Sequence, residues 1–187
     1  MGRDYVIDLD LEELLGGKQN FAEIMERIIF TGWKKGTERL KQEAQAKLKE
    51  NLYNFGLANT KLSEGIYTTD LDDGFLLGVR ASRDGNDYTM YVEYGTGVVG
   101  EGFQHPDPSM GDWAYDIHEH GDEGWWYPSY EEDRNSTKYQ TKDGVWWAWT
   151  AGQASRPFMY HTWLWLMDNA DNIMVEEMFK EMEKFKW

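Results

Sequence analysis

The chain has 187 residues and no cysteine. Disulfides and thiolate metal sites are therefore excluded, and folding requires no oxidising compartment. Long apolar runs are also missing; none approaches the ~20 residues of a membrane-spanning helix. No charged-then-apolar start marks a signal peptide. Val6 stands where a myristoylation signal following Gly2 requires Ser or Thr. Catalytic signatures are absent as well. There is no GxSxG nucleophile turn. No Gly-Lys-Ser/Thr follows Gly95, Gly97, Gly100 and Gly102, so these glycines are not a phosphate loop, and no helix is expected to open there. Basic residues are scarce: 19 Lys and Arg face 34 Asp and Glu, for a net charge of -15. Residues 61–150 carry 18 acidic against 6 basic side chains. Such a surface cannot neutralise phosphates, which excludes nucleic-acid binding through the middle of the chain. It suits solvation, DNA mimicry, a cation or basic partner, or a passage through which DNA slides without adhering.

Aromatic residues are what the chain has in excess, with 10 Trp and 11 Tyr. Such side chains combine a large apolar area with a polar handle and are enriched at protein contacts. They concentrate in residues 144–163, GVWWAWTAGQASRPFMYHTW. This stretch reads as an aromatic strand, a tight turn at Gly152, and a helix with Pro157 in its first turn, where the missing N–H costs nothing. Ser155 is the expected N-cap of that helix. The rest of the chain is expected to hold this corner against a long N-terminal helix.

The sequence before it starts with alternation at 5–10, a short strand, and then a helical turn at 11–15 closed by Gly16 and Gly17. Asn20 is the expected N-cap of a helix over 20–53, with Glu23 completing a capping box. Phe21, Ile24, Met25, Ile28 and Ile29 share one face, continued by Leu40, Ala44, Leu48 and Leu52. Gly32 and Gly36 mark either a bend or the close approach of another backbone. Residues 57–64 read as a loop. Residues 65–69, 75–81 and 88–94 read as strands of an antiparallel meander, with Asp84-Gly85 as a hairpin signal. Glycine and proline punctuate a loop over 100–124. Residues 125–130, Trp-Trp-Tyr-Pro-Ser-Tyr, and 145–149, Val-Trp-Trp-Ala-Trp, read as two strands separated by a long polar loop at 131–143. The last helix runs from about 157 towards 185, with Trp163, Leu164, Met167, Val175, Met178, Phe179 and Met182 on its expected buried side, a break expected near 168–171 and a Glu176–Lys180 ion pair.

Two constellations invite chemistry. His118 and His120, near Asp112, Asp116 and Asp122, have metal-ligand character, but their spacing matches neither HExxH nor a zinc finger; a solvated polar loop is expected, without metal or cofactor. The aromatic group Trp113, Trp125, Trp126, Tyr127, Tyr130, Trp146, Trp147 and Trp149 suits sugar stacking or subunit anchoring. Alternation sends Trp125 and Tyr127 to one face and Trp126 to the other; it sets Trp147 opposite Trp146 and Ala148. About half should pack inward.

Three motifs occur in order: Leu11-Glu-Glu-Leu14, Val92-Glu93-Tyr94-Gly95-Thr96-Gly97, and Gly152-Gln-Ala-Ser-Arg-Pro157-Phe158-Met159. In this the chain resembles the neck and tail-completion family of long-tailed bacteriophages, over most of its length from about 9 to 185. It departs from that pattern in a long Gly/Trp-rich insertion at about 98–143. The resemblance implies a non-enzymatic virion protein at the head–tail interface, present in the host cytoplasm during assembly. It would form a homo-oligomeric ring between the head-closure or connector protein and the tail terminator or tail-tube protein. DNA would pass through without being specifically bound. The expected fold is a single α+β domain over 1–187: a long N-terminal helix on an antiparallel β-meander, an aromatic β-hairpin insertion and a C-terminal helix. Trp125, Trp126, Trp146, Trp147, Trp149 and Phe158 are the candidate core and interface aromatics. Gly95, Gly97, Gly152 and Pro157 are the candidate fold-defining turns. The alternatives are an aromatic carbohydrate-binding module and an acidic DNA-mimic inhibitor.

Overall fold

The computed structural model describes residues 18–83, 85–107, 109, 112–116, 119–131 and 137–184, with side chains from residue 21 onward. The expected strand at 5–10, the turn at 11–15 with its Leu-Glu-Glu-Leu motif, and His118 lie outside these residues. The architecture mixes helices with small antiparallel sheets. Helix α1 (Lys18–Asn54) is 37 residues long, about 55 Å at 1.5 Å per residue. It is already helical at Lys18, so Asn20 lies within it and is not its N-cap.

One face of α1 is buried at Ile28, Gly32, Gly36, Ala44, Leu48, Asn51 and Leu52, the three- and four-residue spacing expected of a packed helix. Its partner is the last helix, α5 (Phe158–Met182), which continues without a break through 168–171. The pair is antiparallel, and Gly32 and Gly36 mark where it comes closest. A Cβ built on Gly32 would lie 2.7 Å from the Met178 Cα, and one on Gly36 would lie 2.6 Å from the Met174 sulfur. Close approach, not flexibility, explains both glycines. The neighbours differ in how far they can yield. Gly32→Ala is expected to destabilise by about 1–3 kcal/mol because backbone must move. Gly36→Ala meets a flexible methionine and regains about 1 kcal/mol of helix propensity, so its net cost should be near zero. Urea denaturation of the two variants checks this; equal losses would contradict it.

Ion pairs flank the helix pair. Arg39 meets Glu43, Glu176 and Glu177 at 2.7, 2.7 and 3.1 Å, and Lys35 meets Glu181 at 2.6 Å. The expected Glu176–Lys180 pair does not form: Glu176 faces Arg39, and Lys180 turns to Glu177 at 2.6 Å. At the other end of the pair, buried Asn51 donates through Nδ2 to the Phe158 carbonyl and Thr162 Oγ1 at 3.3 and 2.9 Å.

After α1, the presumed loop contains a short helix α2 (Lys61–Glu64). Strands β1 (Ile66–Leu71) and β2 (Gly74–Val79) pair antiparallel, Ile66 opposite Val79. Leu77 and Val79 pack against a core of Leu48, Leu52, Leu57, Leu62, Ala81, Val92 and Phe158. A minimal ladder, β3 (Ser82–Arg83) with β4 (Asn86–Asp87), follows. The meander stops there. Residues 88–94, read as a strand, fold as helix α3 (Thr89–Tyr94). A second short helix, α4 (Gly97–Gly102), opens where none was expected. Strands β5 (Trp125–Ser129), β6 (Lys138–Gln140) and β7 (Trp146–Thr150) form a sheet in the order β5-β7-β6. The aromatic hairpin thus gains an edge strand from the segment read as a polar loop. Residues 132–136 of that segment lie outside the described residues. No helix among the described residues is long and apolar enough to cross a membrane.

Candidate functional site at the strand-to-helix corner

The segment between β7 and α5 is fastened to α3 and α4 by main-chain hydrogen bonds. Thr96 and Gln153 exchange both of theirs, at 2.9 and 3.0 Å. Val99 N–H donates to the Ala151 carbonyl at 3.2 Å, and Arg156 N–H to Val92 at 3.0 Å. Ser155 N–H reaches the Phe103 carbonyl at 3.2 Å. The expected turns Gly95, Gly97 and Gly152 meet here, with φ of 85°, 61° and 98°. Backbone crosses backbone so closely at this point that side chains are excluded.

The corner carries a buried carboxylate that the sequence does not announce. Pro157 occupies the N-cap position of α5 and has no side-chain acceptor to offer. Ser155 does not cap the helix either; its hydroxyl donates to the Glu93 carbonyl at 2.6 Å. The capping group is the Glu93 side chain, sent from α3. Its Oε2 accepts from Met159 N–H at 3.0 Å and its Oε1 from Tyr160 N–H at 2.9 Å. Two orphan donors of the first helical turn are satisfied by an anion at the positive end of the helix dipole.

His105 completes the cluster, its Nε2 3.2 Å from Glu93 Oε1. Its Nδ1 accepts from Asp107 N–H at 3.1 Å, so the ring proton sits on Nε2 and points at Glu93. Tyr94 and Tyr160 enclose the imidazole at ring-centroid distances of 4.5 and 5.1 Å. Glu93 is 3% exposed. Burial pushes its carboxyl above the ordinary range, against the pull of the Met159, Tyr160 and His105 donors. A buried acid–imidazole pair has the chemistry of a general base, but Glu93 is sealed from solvent and its carboxylate accepts from two main-chain N–H groups and the imidazole. The arrangement is a cap.

The sheet sorts its tryptophans by alternation, as expected. Register sets Trp126 opposite Trp149, and both Pro128 and Tyr139 opposite Trp147. Trp126, Tyr139, Trp147 and Trp149 therefore share one face. Trp125, Tyr127, Trp146 and fully buried Ala148 share the other. Of the candidate core aromatics only Phe158 is fully buried; Trp125, Trp146, Trp147 and Trp149 are half-buried and Trp126 is 44% exposed. Trp126 and Tyr139 meet edge to face at 5.0 Å. Trp113 leaves the sheet altogether: its indole N–H donates to the Gly95 carbonyl at 3.0 Å, and its ring packs on Tyr91 and Tyr94.

In the loop before β5, His120 Nδ1 lies 2.8 Å from Asp116 Oδ1 and its ring stacks on Trp125 at 4.4 Å. Hydrogen bonds from the main-chain N–H of His120 and of Gly121, and from the His120 ring, hold the Asp116 carboxyl down at about 2. Among the described residues no group of three or more His, Cys, Asp or Glu side chains is placed to hold a metal ion. Glu93 was missed because its partners are 12, 66 and 67 residues away. The one local sign was an acid inside the apolar run Tyr91-Val92-Glu93-Tyr94. Comparison with protein-family models, with curated proteins and with solved structures finds no match to this chain.

Proposed function

We propose that this chain is a structural component of the head–tail junction of a long-tailed bacteriophage, where copies close into a ring that joins the head connector to the tail and lets DNA pass. The observation that carries the reading is the outer face of the β5-β7-β6 sheet. Trp126 and Tyr139, 44% and 47% exposed, stand with Trp147 and Trp149 on one face. Large rigid rings of this kind lose little conformational entropy on binding and form the anchors of protein contacts. The order of the sequence motifs supports the same reading, as does the acidic surplus, since negative side chains around a channel repel the phosphate backbone. The ring's neighbours would be the head-closure or connector protein on one side and the tail terminator or tail tube on the other.

The test is native mass spectrometry with negative-stain imaging of the purified chain, alone and with tails that lack their neck. A discrete ring, free or formed on the tail, is the expected product. Trp126→Glu should abolish it while leaving the circular dichroism of the monomer unchanged. A chain that remains monomeric on the tail as well, or a variant that assembles normally, would defeat the proposal.

A further inference from the structure

A cleft of about 540 Å³ opens beside the corner, away from the outer sheet face. Its walls include the rings of Tyr91, Tyr115 and Trp125, the carboxylates of Asp87 and Asp116, and His120. The volume falls in the range of ordinary ligand pockets, about 300–1,000 Å³. All these residues come from one stretch with an unusual composition: residues 84–133 contain 13 Asp and Glu and not one Lys or Arg. A cleft lined by acids and aromatic rings attracts positive charge twice, through the carboxylates and through the ring quadrupoles.

We propose that this cleft receives an arginine side chain from a partner protein. A neutral sugar would use the ring faces but gains nothing from an unrelieved negative stretch. A bare metal ion would need converging ligands, and no such group occurs among the described residues. A guanidinium needs what is present: flat aromatic surface to stack on and carboxylate oxygens with free lone pairs to accept its N–H groups. Asp87 accepts from Thr89 N–H at 2.8 Å, through Oδ1, and from the Thr89 side chain. Asp116 accepts from the His120 ring through Oδ1 and from Gly121 N–H through Oδ2, at 2.8 Å each, and from the His120 main-chain N–H, three of about four acceptor sites. These bonds fix the carboxylates in place without exhausting their acceptor capacity. The protein already stacks this pair of groups nearby, with the Arg83 guanidinium 3.9 Å above the Tyr130 ring. The proposal stands whether or not copies close into a ring.

The experiment is calorimetric titration of the full chain with acetyl-Gly-Arg-Gly-amide, with the same peptide carrying citrulline, and with cellotetraose. Citrulline keeps the shape of arginine and removes its charge. Fluorine NMR of 5-fluorotryptophan-labelled protein locates the event, the Trp125 resonance being assigned with Trp125→Phe. The arginine peptide should bind and shift Trp125, and the citrulline peptide should not. Asp87→Asn with Asp116→Asn retains an acceptor oxygen at each position and should weaken binding about tenfold or more, the loss expected for charge-assisted hydrogen bonds. Tyr53→Phe, outside the cleft and 72% exposed on α1, should bind as the parent does. Equal binding of the citrulline peptide overturns the proposal. So does a Trp125 shift caused by cellotetraose but not by arginine, undiminished affinity in the folded double variant, or silence at the highest soluble peptide concentration.

Discussion

Gly152→Ala is expected to leave the protein largely unfolded in buffer. Two costs combine. Gly152 sits at φ 98°, where an L side chain meets its own backbone at a cost of roughly 1–2 kcal/mol. Its Cβ would also fall 1.9 Å from the Thr96 carbonyl oxygen and 2.8 Å from the Gly97 Cα. Neither neighbour is a side chain that can swing away, so the backbone must part. That breaks the reciprocal Thr96–Gln153 hydrogen bonds at 2.9 and 3.0 Å, each worth about 1 kcal/mol net. With overpacking strain of about 1–3 kcal/mol added, the total reaches roughly 4–7 kcal/mol, comparable to the whole stability of a small domain. Gly85→Ala is the control. Gly85 has φ 84° but nothing within 4 Å of its missing Cβ, so only the conformational cost of about 1–2 kcal/mol applies. Urea unfolding followed by tryptophan fluorescence separates the two. A Gly152→Ala protein within 1 kcal/mol of the Gly85→Ala protein would show that the corner is not held as described.

The first long helix was legible because its signal is periodic and local; the last was legible as a helix but not in its face, since Trp163, Leu164, Met167, Val175 and Phe179 are exposed and Thr162 and Ile173 are buried instead. The apolar positions Ile28, Ala44, Leu48 and Leu52 repeat at helical spacing, and all four are buried. Gly32 and Gly36 announced either a bend or the close approach of another backbone, and Met178 and Met174 show that it is the approach. Strand alternation correctly divided the tryptophans between the two faces of the sheet. What failed was the stretch 88–94. Its β-branched and aromatic residues favour a strand, but that preference spans only about 1 kcal/mol and yields to tertiary contacts. The local signs of a helix were there, at its ends. Asp87 Oδ1 accepts from Thr89 N–H, and Gly95 closes the helix with positive φ. Helix α4 and strand β6 had no such signs. Gly97 N–H is held by the Tyr115 carbonyl at 2.7 Å and Val99 N–H by Ala151, so α4 is fixed from outside itself. Strand β6 exists because β7 offers it an edge to pair with. The loop segment behind the cleft was legible only as acidic, since the rings that wall it meet through the fold.

Glu93→Ala is expected to cost about 3 kcal/mol or more through loss of the α5 cap. Removal of the carboxylate leaves the Met159 and Tyr160 N–H groups and the His105 Nε2 proton without an acceptor in a buried site. Each unsatisfied donor costs about 1–3 kcal/mol, and the cavity adds to this. Glu93→Gln is the finer probe. Its amide oxygen can still serve Tyr160 and His105, but its NH2 group then faces Met159 N–H, donor against donor. A loss of about 1–3 kcal/mol is expected. The acid also makes the comparison sensitive to pH. Burial raises the folded-state carboxyl above its ordinary 4.5, so the folded protein binds the proton more tightly than the unfolded chain. The stabilisation linked to that proton is fully present below 4.5 and disappears as pH rises through the raised value. Glutamine does not titrate. The gap in unfolding free energy between parent and Glu93→Gln should therefore be widest in acid and narrow as the pH is raised, while carboxylates common to both proteins cancel. Paired urea titrations from acid to neutral pH measure it. A gap that widened with pH would mean that the α5 dipole and the three N–H donors outweigh burial, and that Glu93 caps the helix most strongly as an anion.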